Sequence, residues 1–259
     1  RLRRRDLPGT ALLLSLPQLD AATAQWGLAA GFAEELCARA GLEGFASIAV
    51  DQSGHASMFA ALREAASQLR AQKVTRCLLL GVDSYLSEDR LEMLDQGYRL
   101  KSERAVDGFI PGEGAAFVLV VSPRAARSLP TLGRVVGLST VDEPRPYGAD
   151  EPCLGHGITL AVKRALAEGG VKGGLGWVLT DVTNERHRVD EWIYGFARNH
   201  AAFSREVVHE QPLLKTGDLG AAETAAAGDP DAFRAKAEGR LHGALHRPAE
   251  RDATLKLIG

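Results

Sequence analysis

Residues 76–121 read RCLLLGVDSYLSEDRLEMLDQGYRLKSERAVDGFIPGEGAAFVLVV. Cys77-Leu78-Leu79-Leu80 is an unbroken apolar run, ended by Gly81 and the turn-formers Asp83 and Ser84, which is the pattern of a strand buried on both faces. A second strand is expected over 115–121. Between them, 86–98 reads as a helix, with Ser87 as N-cap, Glu88 and Asp89 in a first turn whose exposed amides favour negative charge, and Gly97 at its end. Three glycines in the seven residues from Gly108 to Gly114 let the backbone approach a neighbour closely before the second strand begins.

Working outward toward the N-terminus, 55–72 carries Phe59, Leu62, Ala66 and Leu69 at helical spacing, and 45–50 is a strand closed by the turn at 51–54. Strand, helix and strand at this spacing make a parallel crossover. Before them lie an amphipathic helix over 28–40 and a short apolar strand over 10–16, the latter punctuated by Pro8-Gly9 and Pro17. Toward the C-terminus the alternation resumes: a strand at 134–138, a Pro/Gly/Asp-rich loop at 144–157, a helix at 158–168, a buried strand at 177–180 and a helix at 189–202. Beyond Gly228 the chain is charged and helix-like up to Arg247, where Pro248 breaks it.

The 259 residues are 45% hydrophobic and 25% charged, an ordinary globular composition. A formal net charge of −2 leaves no electrostatic footprint for nucleic acid or an anionic membrane, and Arg1, Arg3, Arg4 and Arg5 read as a solvated end. No apolar run reaches the length of a membrane span and no signal peptide is visible. Cys37, Cys77 and Cys153 are too dispersed for a disulfide framework or a zinc knuckle, so a reducing cytoplasm is expected.

The order Gly81-Val82-Asp83-Ser84, then Asp107-Gly108-Phe109, then Gly112-Glu113-Gly114-Ala115-Ala116 resembles the middle of the β-ketoacyl-(acyl-carrier-protein) synthases, condensing enzymes of the thiolase-like superfamily. The resemblance covers roughly 8–228. It implies a layered αβαβα fold of two similar halves, 1–125 (without the family's first strand) and 126–228, followed by an unmatched charged tail at 229–259. The family's opening strand and its closing pair of strands have no counterpart, so the sequence is expected to be an incomplete segment or a diverged member.

The resemblance also locates three catalytic slots. The family's acyl-carrying thiol stands at a helix N-terminus, where amide groups lower its pKa and form the oxyanion hole. Counting back from Gly81 puts that slot at Ala56, flanked by His55 and Ser57. A first histidine follows a strand, and the matching position here is Asp181 or Val182. A second belongs to a Lys-Ser/Thr-x-x-Gly-His-x-x-Gly-Ala-Ala pattern. Lys215, Thr216, Gly217, Gly220, Ala221 and Ala222 echo it, with Asp218 in the histidine's place. Lys215, Thr216, Phe109 and Gly112 are the residues the family pattern would set against substrate.

An alanine is no nucleophile, and a carboxylate in place of a neutral imidazole repels a developing oxyanion. The resemblance therefore implies a protein degenerate for Claisen condensation, serving as an acyl-binding or partner subunit in fatty-acid or polyketide-type metabolism. Two other readings stand beside it. One is an acyltransferase or thioester hydrolase with a rewired site, using Asp181, Asp218, His55 or Ser57 and akin, if active, to a 3-oxoacyl-(acyl-carrier-protein) synthase. The other is a structural or regulatory dimer without ligand. The implied partners are an acyl carrier protein or acyl-CoA, and a second copy or a true synthase across a dimer edge; no cofactor and no metal is expected. Elsewhere, Cys77 reads as a buried hydrophobe and Cys153, near His156, as a more exposed thiol. His242 and His246 share a predicted helix face without a third ligand. Asp181, Asn184, Glu185 and Arg186 form a polar turn that reads equally as a ligand site or as an internal ion network.

Overall fold

The computed structural model describes residues 3–18 and 31–227. The N-terminal part is built on β1 (Thr10–Ser15), α1 (Phe32–Ala40), β2 (Ser47–Asp51), α2 (Ser57–Arg70), β3 (Arg76–Ser84), α3 (Glu88–Gln96) and β4 (Glu113–Val121). The four strands form one sheet in the order β2-β1-β3-β4. The first three are parallel, and β4 runs antiparallel to β3. The crossover from β2 through α2 to β3 is thus parallel as expected, with β1 inserted between its strands.

Alternation along the strands explains how helices cover both faces. Ala11, Leu13, Cys77 and Leu79 point to one side and pack on Met58, Ala61, Leu62 and Ala65 of α2. Leu14, Leu80 and Val82 point to the other side and meet Phe32, Ala33 and Leu36 of α1. Both faces of β1 are therefore buried, which is why its sequence is continuously apolar.

After the short α4 (Pro123–Ala126) come α5 (His156–Glu168), β5 (Leu175–Leu179), α6 (Arg186–Arg198), β6 (Phe203–Glu210), α7 (Leu213–Thr216) and α8 (Glu223–Ala227). β5 and β6 pair in parallel. A second core gathers Leu175, Val178, Val182, Trp192 and Phe203, with Ile158 and Phe196 packed against it.

Several expectations are corrected. Residues 134–138 form no strand. The Leu138 amide instead donates to Glu168 Oε2 at 2.8 Å, and Gly137 lies so close to the Ala165 carbonyl that a Cβ would overlap it. That segment is held against the end of α5 rather than in a ladder. Trp177 is 38% exposed, so β5 is not buried along its whole length. β6 escapes the periodicity argument because Phe203 is its only buried residue. Ser87 occupies the N-cap position of α3, yet its hydroxyl makes no cap bond and is left without a partner. Gly97 ends α3 in an ordinary conformation, and the left-handed residue is Tyr98. Residues 28–30 of the expected first helix, the tail from 229, His242 and His246 lie outside the described residues.

Candidate functional site

The glycine-rich box acts on the backbone of Asp218. The Asp218 amide donates to the Ile110 carbonyl at 2.8 Å, and the Gly112 amide donates to the Asp218 carbonyl at 3.0 Å. A Cβ on Gly112 would stand 3.1 Å from the Asp218 carbonyl oxygen and from Leu219 Cδ2, and Gly217 adopts φ +75 against the Pro111 carbonyl. The close neighbour that this loop accommodates is therefore residues 216–219 of the same chain. From the side, Asp83 at the end of β3 accepts from the Ala221 amide at 2.9 Å and receives Arg90 at 2.8 Å, fixing the turn that follows Asp218.

Around Asp218 three further elements converge. His55 lies in the single 3-10 turn, Gly54–Ala56, that opens α2, and its Nε2 is 2.8 Å from Asp218 Oδ1. Arg188, in the first turn of α6, places Nη2 at 3.2 Å from Asp218 Oδ2 and 3.4 Å from His55 Nε2. The same guanidinium donates to the Asp181 carbonyl at 3.1 Å and approaches Glu185 Oε2 at 3.4 Å. Glu185 in turn receives a bidentate pair from Arg99 at 2.8 and 3.1 Å. Asp218 is wholly buried, and Glu223, at the start of α8, is 7% exposed.

The electrostatics follow from burial and partners. Burial alone would raise the Asp218 carboxyl, but His55, Arg188 and the Gly220 amide outweigh it and hold the group well below the usual carboxylate range. Burial likewise works against the Arg188 charge, and Asp218, Asp181 and Glu185 more than restore it. Glu223 goes the other way: burial, reinforced by the negative charges of Asp181 and Asp218, pushes it well above the ordinary range. Tyr85, 7% exposed and packed edge-on against Phe109 with ring centroids 5.3 Å apart, is also pushed up by burial.

The slot positions fall as follows. Ala56 is the N-cap residue of α2 and is exposed. Ser57 is fully buried and gives its hydroxyl to the Gly54 carbonyl at 2.6 Å. Asp181 is half exposed and 3.8 Å from Arg188 Nη1, whereas Val182 belongs to the second core. Phe109 is 1% exposed and packs on Tyr85 and Leu94. Lys215 and Thr216 lie on the exposed face of α7. The carboxylate of Asp218 pairs with His55 and Arg188. Of the two readings of the 181–186 turn, the ion network is realised through Asp181 and Glu185, while Arg186 pairs on the surface with Asp190 at 3.5 Å.

Sequence reasoning missed Arg188 and Glu223. A Glu three residues before an Arg at a helix start, and a lone acid inside the alanine run Ala221–Ala227, are their only local signals.

A second acidic group is displaced near this region. Burial, aided by Asp181 and Glu143, raises Glu191 to about 7. The folded chain binds this proton more tightly than the unfolded chain does. The stability it contributes is thus complete below about pH 4.5 and is lost as pH rises through about 7. Glu191→Gln should therefore gain melting temperature relative to the parent at pH 8 but not at pH 4, in thermal melts across that range; equal curves at both ends would contradict this assignment.

No protein-family model matches the sequence, and none of the curated proteins does. Solved structures match over most of the chain. The ketosynthase from module 6 of the bacillaene synthase of Bacillus subtilis 168 superposes with TM-score 0.73 at 15% identity, covering 90% of this chain and 44% of that one. The ishigamide ketosynthase/chain length factor gives 0.62 at 20% identity, covering 90% and 66%. A type II polyketide synthase ketosynthase, solved with its acyl-carrier protein and bound to the hexaketide, gives 0.70 at 15% identity, covering 88% and 66%. The chain thus spans between 44% and 66% of the length of these proteins. With β1 buried on both faces, the box clamped onto Asp218 and these superpositions together, the chain has the thiolase-like layered fold of the ketosynthases.

Proposed function

We propose that this protein is a ketosynthase-like subunit that binds acyl thioesters or their carrier without condensing them. The observation that carries this reading is the composition of the convergent cluster. Ala56, at the N-cap of α2, takes the slot that the family resemblance assigns to the thiol, and Asp218, which takes a histidine's slot in that pattern, is a buried, ion-paired carboxylate. Negative charge fixed there disfavours the enolate and oxyanion that condensation must stabilise. A groove of about 520 Å³ is lined by Leu16, Pro17, Phe32, Val82 and Ala115, with Asp83, Ser84 and Glu113 as its polar lining. Its size and apolar lining suit an acyl chain. It does not include His55 or Asp218. β2 is outermost in the described sheet and exposes Ile48 and Val50, which supports pairing with a second copy or a related synthase.

A second reading is favoured by one contact. His55 and Asp218 at 2.8 Å form an oriented imidazole–carboxylate pair able to activate water for thioester hydrolysis. Water would be the nucleophile, since the Ser57 hydroxyl is buried on a backbone carbonyl.

Incubation with acyl- and malonyl-thioesters of carrier protein and coenzyme A, followed by intact-protein mass spectrometry and thioester assay, separates the readings. The expected result is no covalent adduct and no thioester loss, with saturable binding of a labelled acyl thioester. A stable acyl adduct would overturn the binding reading. Turnover abolished by His55→Ala, with an unchanged melting temperature, would replace it by hydrolysis.

A further inference from the structure

We infer that His55, Asp218 and Glu223 form a binding site for one divalent metal ion. One donor atom from each of the three lies within 4.8 Å of the others. Bonds of about 2.0–2.2 Å to nitrogen and oxygen place donors around a single ion about 3–4.4 Å apart, so the 2.8 Å His55–Asp218 contact has to open slightly, and any separation near the 4.8 Å limit has to close slightly.

Two independent observations point to a ligand there. Glu223 is more than nine-tenths buried, and its Oε2 has no hydrogen-bond partner, an arrangement that costs stability unless something fills it. Asp218 Oδ2 likewise makes no hydrogen bond, and it lies 3.2 Å from Arg188 Nη2. The local cation supply is also short, because Arg188 is shared among Asp218, Asp181 and Glu185. A dication would supply the missing positive charge.

The present contacts suit such a site. Asp218 Oδ1, now paired with His55 Nε2, can turn that contact into two bonds to one ion, while Oδ2 keeps Arg188 as an outer-shell partner. The His55 side chain is 29% exposed, which leaves a path from solvent. One imidazole and two carboxylates suit Zn²⁺ or Mn²⁺ and leave coordination positions for water. The residues come from segments 163 positions apart for His55 and Asp218, so no spacing motif announces them. The other trio within the same distance, Glu143, Cys153 and Glu191, is only partly buried and has no buried oxygen left without a partner, so it serves as the control.

The test is titration of the chelator-stripped full chain with ZnCl₂ and MnCl₂ by calorimetry, with electron paramagnetic resonance of the Mn²⁺ form. One ion per chain is expected, with nitrogen coupling that disappears in His55→Ala. Removing an outer-shell partner alone typically weakens binding about 10–100-fold, so His55→Ala and the near-isosteric Glu223→Gln should each weaken it by at least about tenfold. Cys153→Ser should bind like the parent. Absence of binding, or binding unchanged by both cluster variants, would overturn the inference, as would binding lost only in Cys153→Ser. Because the readout is bound metal without any thioester, failure here leaves the acyl-binding reading untouched.

Discussion

Arg188→Ala should destabilise the protein by about 3–5 kcal/mol, the loss that follows when one partner is taken out of a buried ion pair. The Arg188 side chain is 13% exposed, and it is the cation that faces Asp218, Asp181 and Glu185 together. Its removal leaves the fully buried Asp218 with the His55 ring and the Gly220 amide as partners, and without a guanidinium. Glu185 keeps Arg99, so the damage should concentrate at Asp218. For a chain of this size the change corresponds to a fall in melting temperature on the order of 10 °C. Calorimetry of Arg188→Ala, Asp218→Asn and the double variant checks the claim. In the cycle the second substitution should cost much less once the first is present. Additive losses would mean that the guanidinium and the carboxylate do not depend on each other.

The second large effect is expected at Gly81. This glycine sits in β3 between Ser15 and Ala116, and the turn Gly220–Ala222 is pressed against it. A Cβ there would overlap the Ala221 carbonyl oxygen and stand 2.9 Å from Ala222 Cα. Backbone on both sides has nowhere to retreat, because the Ala221 amide is tied to Asp83. Gly81→Ala should therefore cost about 3 kcal/mol, the upper end of ordinary overpacking, and should shift Asp218 and Glu223 along with the turn. Gly176 in β5 provides the contrast: a Cβ there meets nothing within 4 Å, so Gly176→Ala should change stability little. Urea denaturation of both variants tests the pair. A Gly81→Ala variant as stable as Gly176→Ala would show that the turn yields freely.

The N-terminal sheet was legible because its information is local. The continuous apolar run of β1, buried on both faces, and the helical spacing of α2 are each set by burial within a dozen residues, whereas β3, read from the same kind of run, buries alternate residues fully and the others only in part. The glycine box was legible as a close backbone approach, although its partner, residues 216–219, lies too far along the chain for spacing to reveal. β6 was not legible, since an edge-exposed strand such as FSREVVHE carries too few inward residues to set a period. The segment 134–138 misled for the opposite reason: it is partly apolar, but a side chain, Glu168, accepts from the Leu138 amide where a strand neighbour would be needed. At the site, Asp218 and His55 could be named from the family pattern. Arg188 and Glu223 could not, because their roles arise from tertiary charge balance rather than from neighbours in sequence.

The clamp between residues 110–112 and Asp218 also bears on the order of events during folding. The β1–β3 pairing and the packing of α2 can form within the first part of the chain, whereas the clamp, the Asp83–Ala221 bond and the His55–Asp218 contact each require closure of a very long loop. Such contacts belong to the last stage, after the rate-limiting step, so they slow unfolding and leave the refolding rate almost untouched. In stopped-flow kinetics, Asp218→Asn should thus act almost entirely on the unfolding limb. The cluster then behaves as a latch, deciding how long the folded chain lasts rather than how fast it is reached.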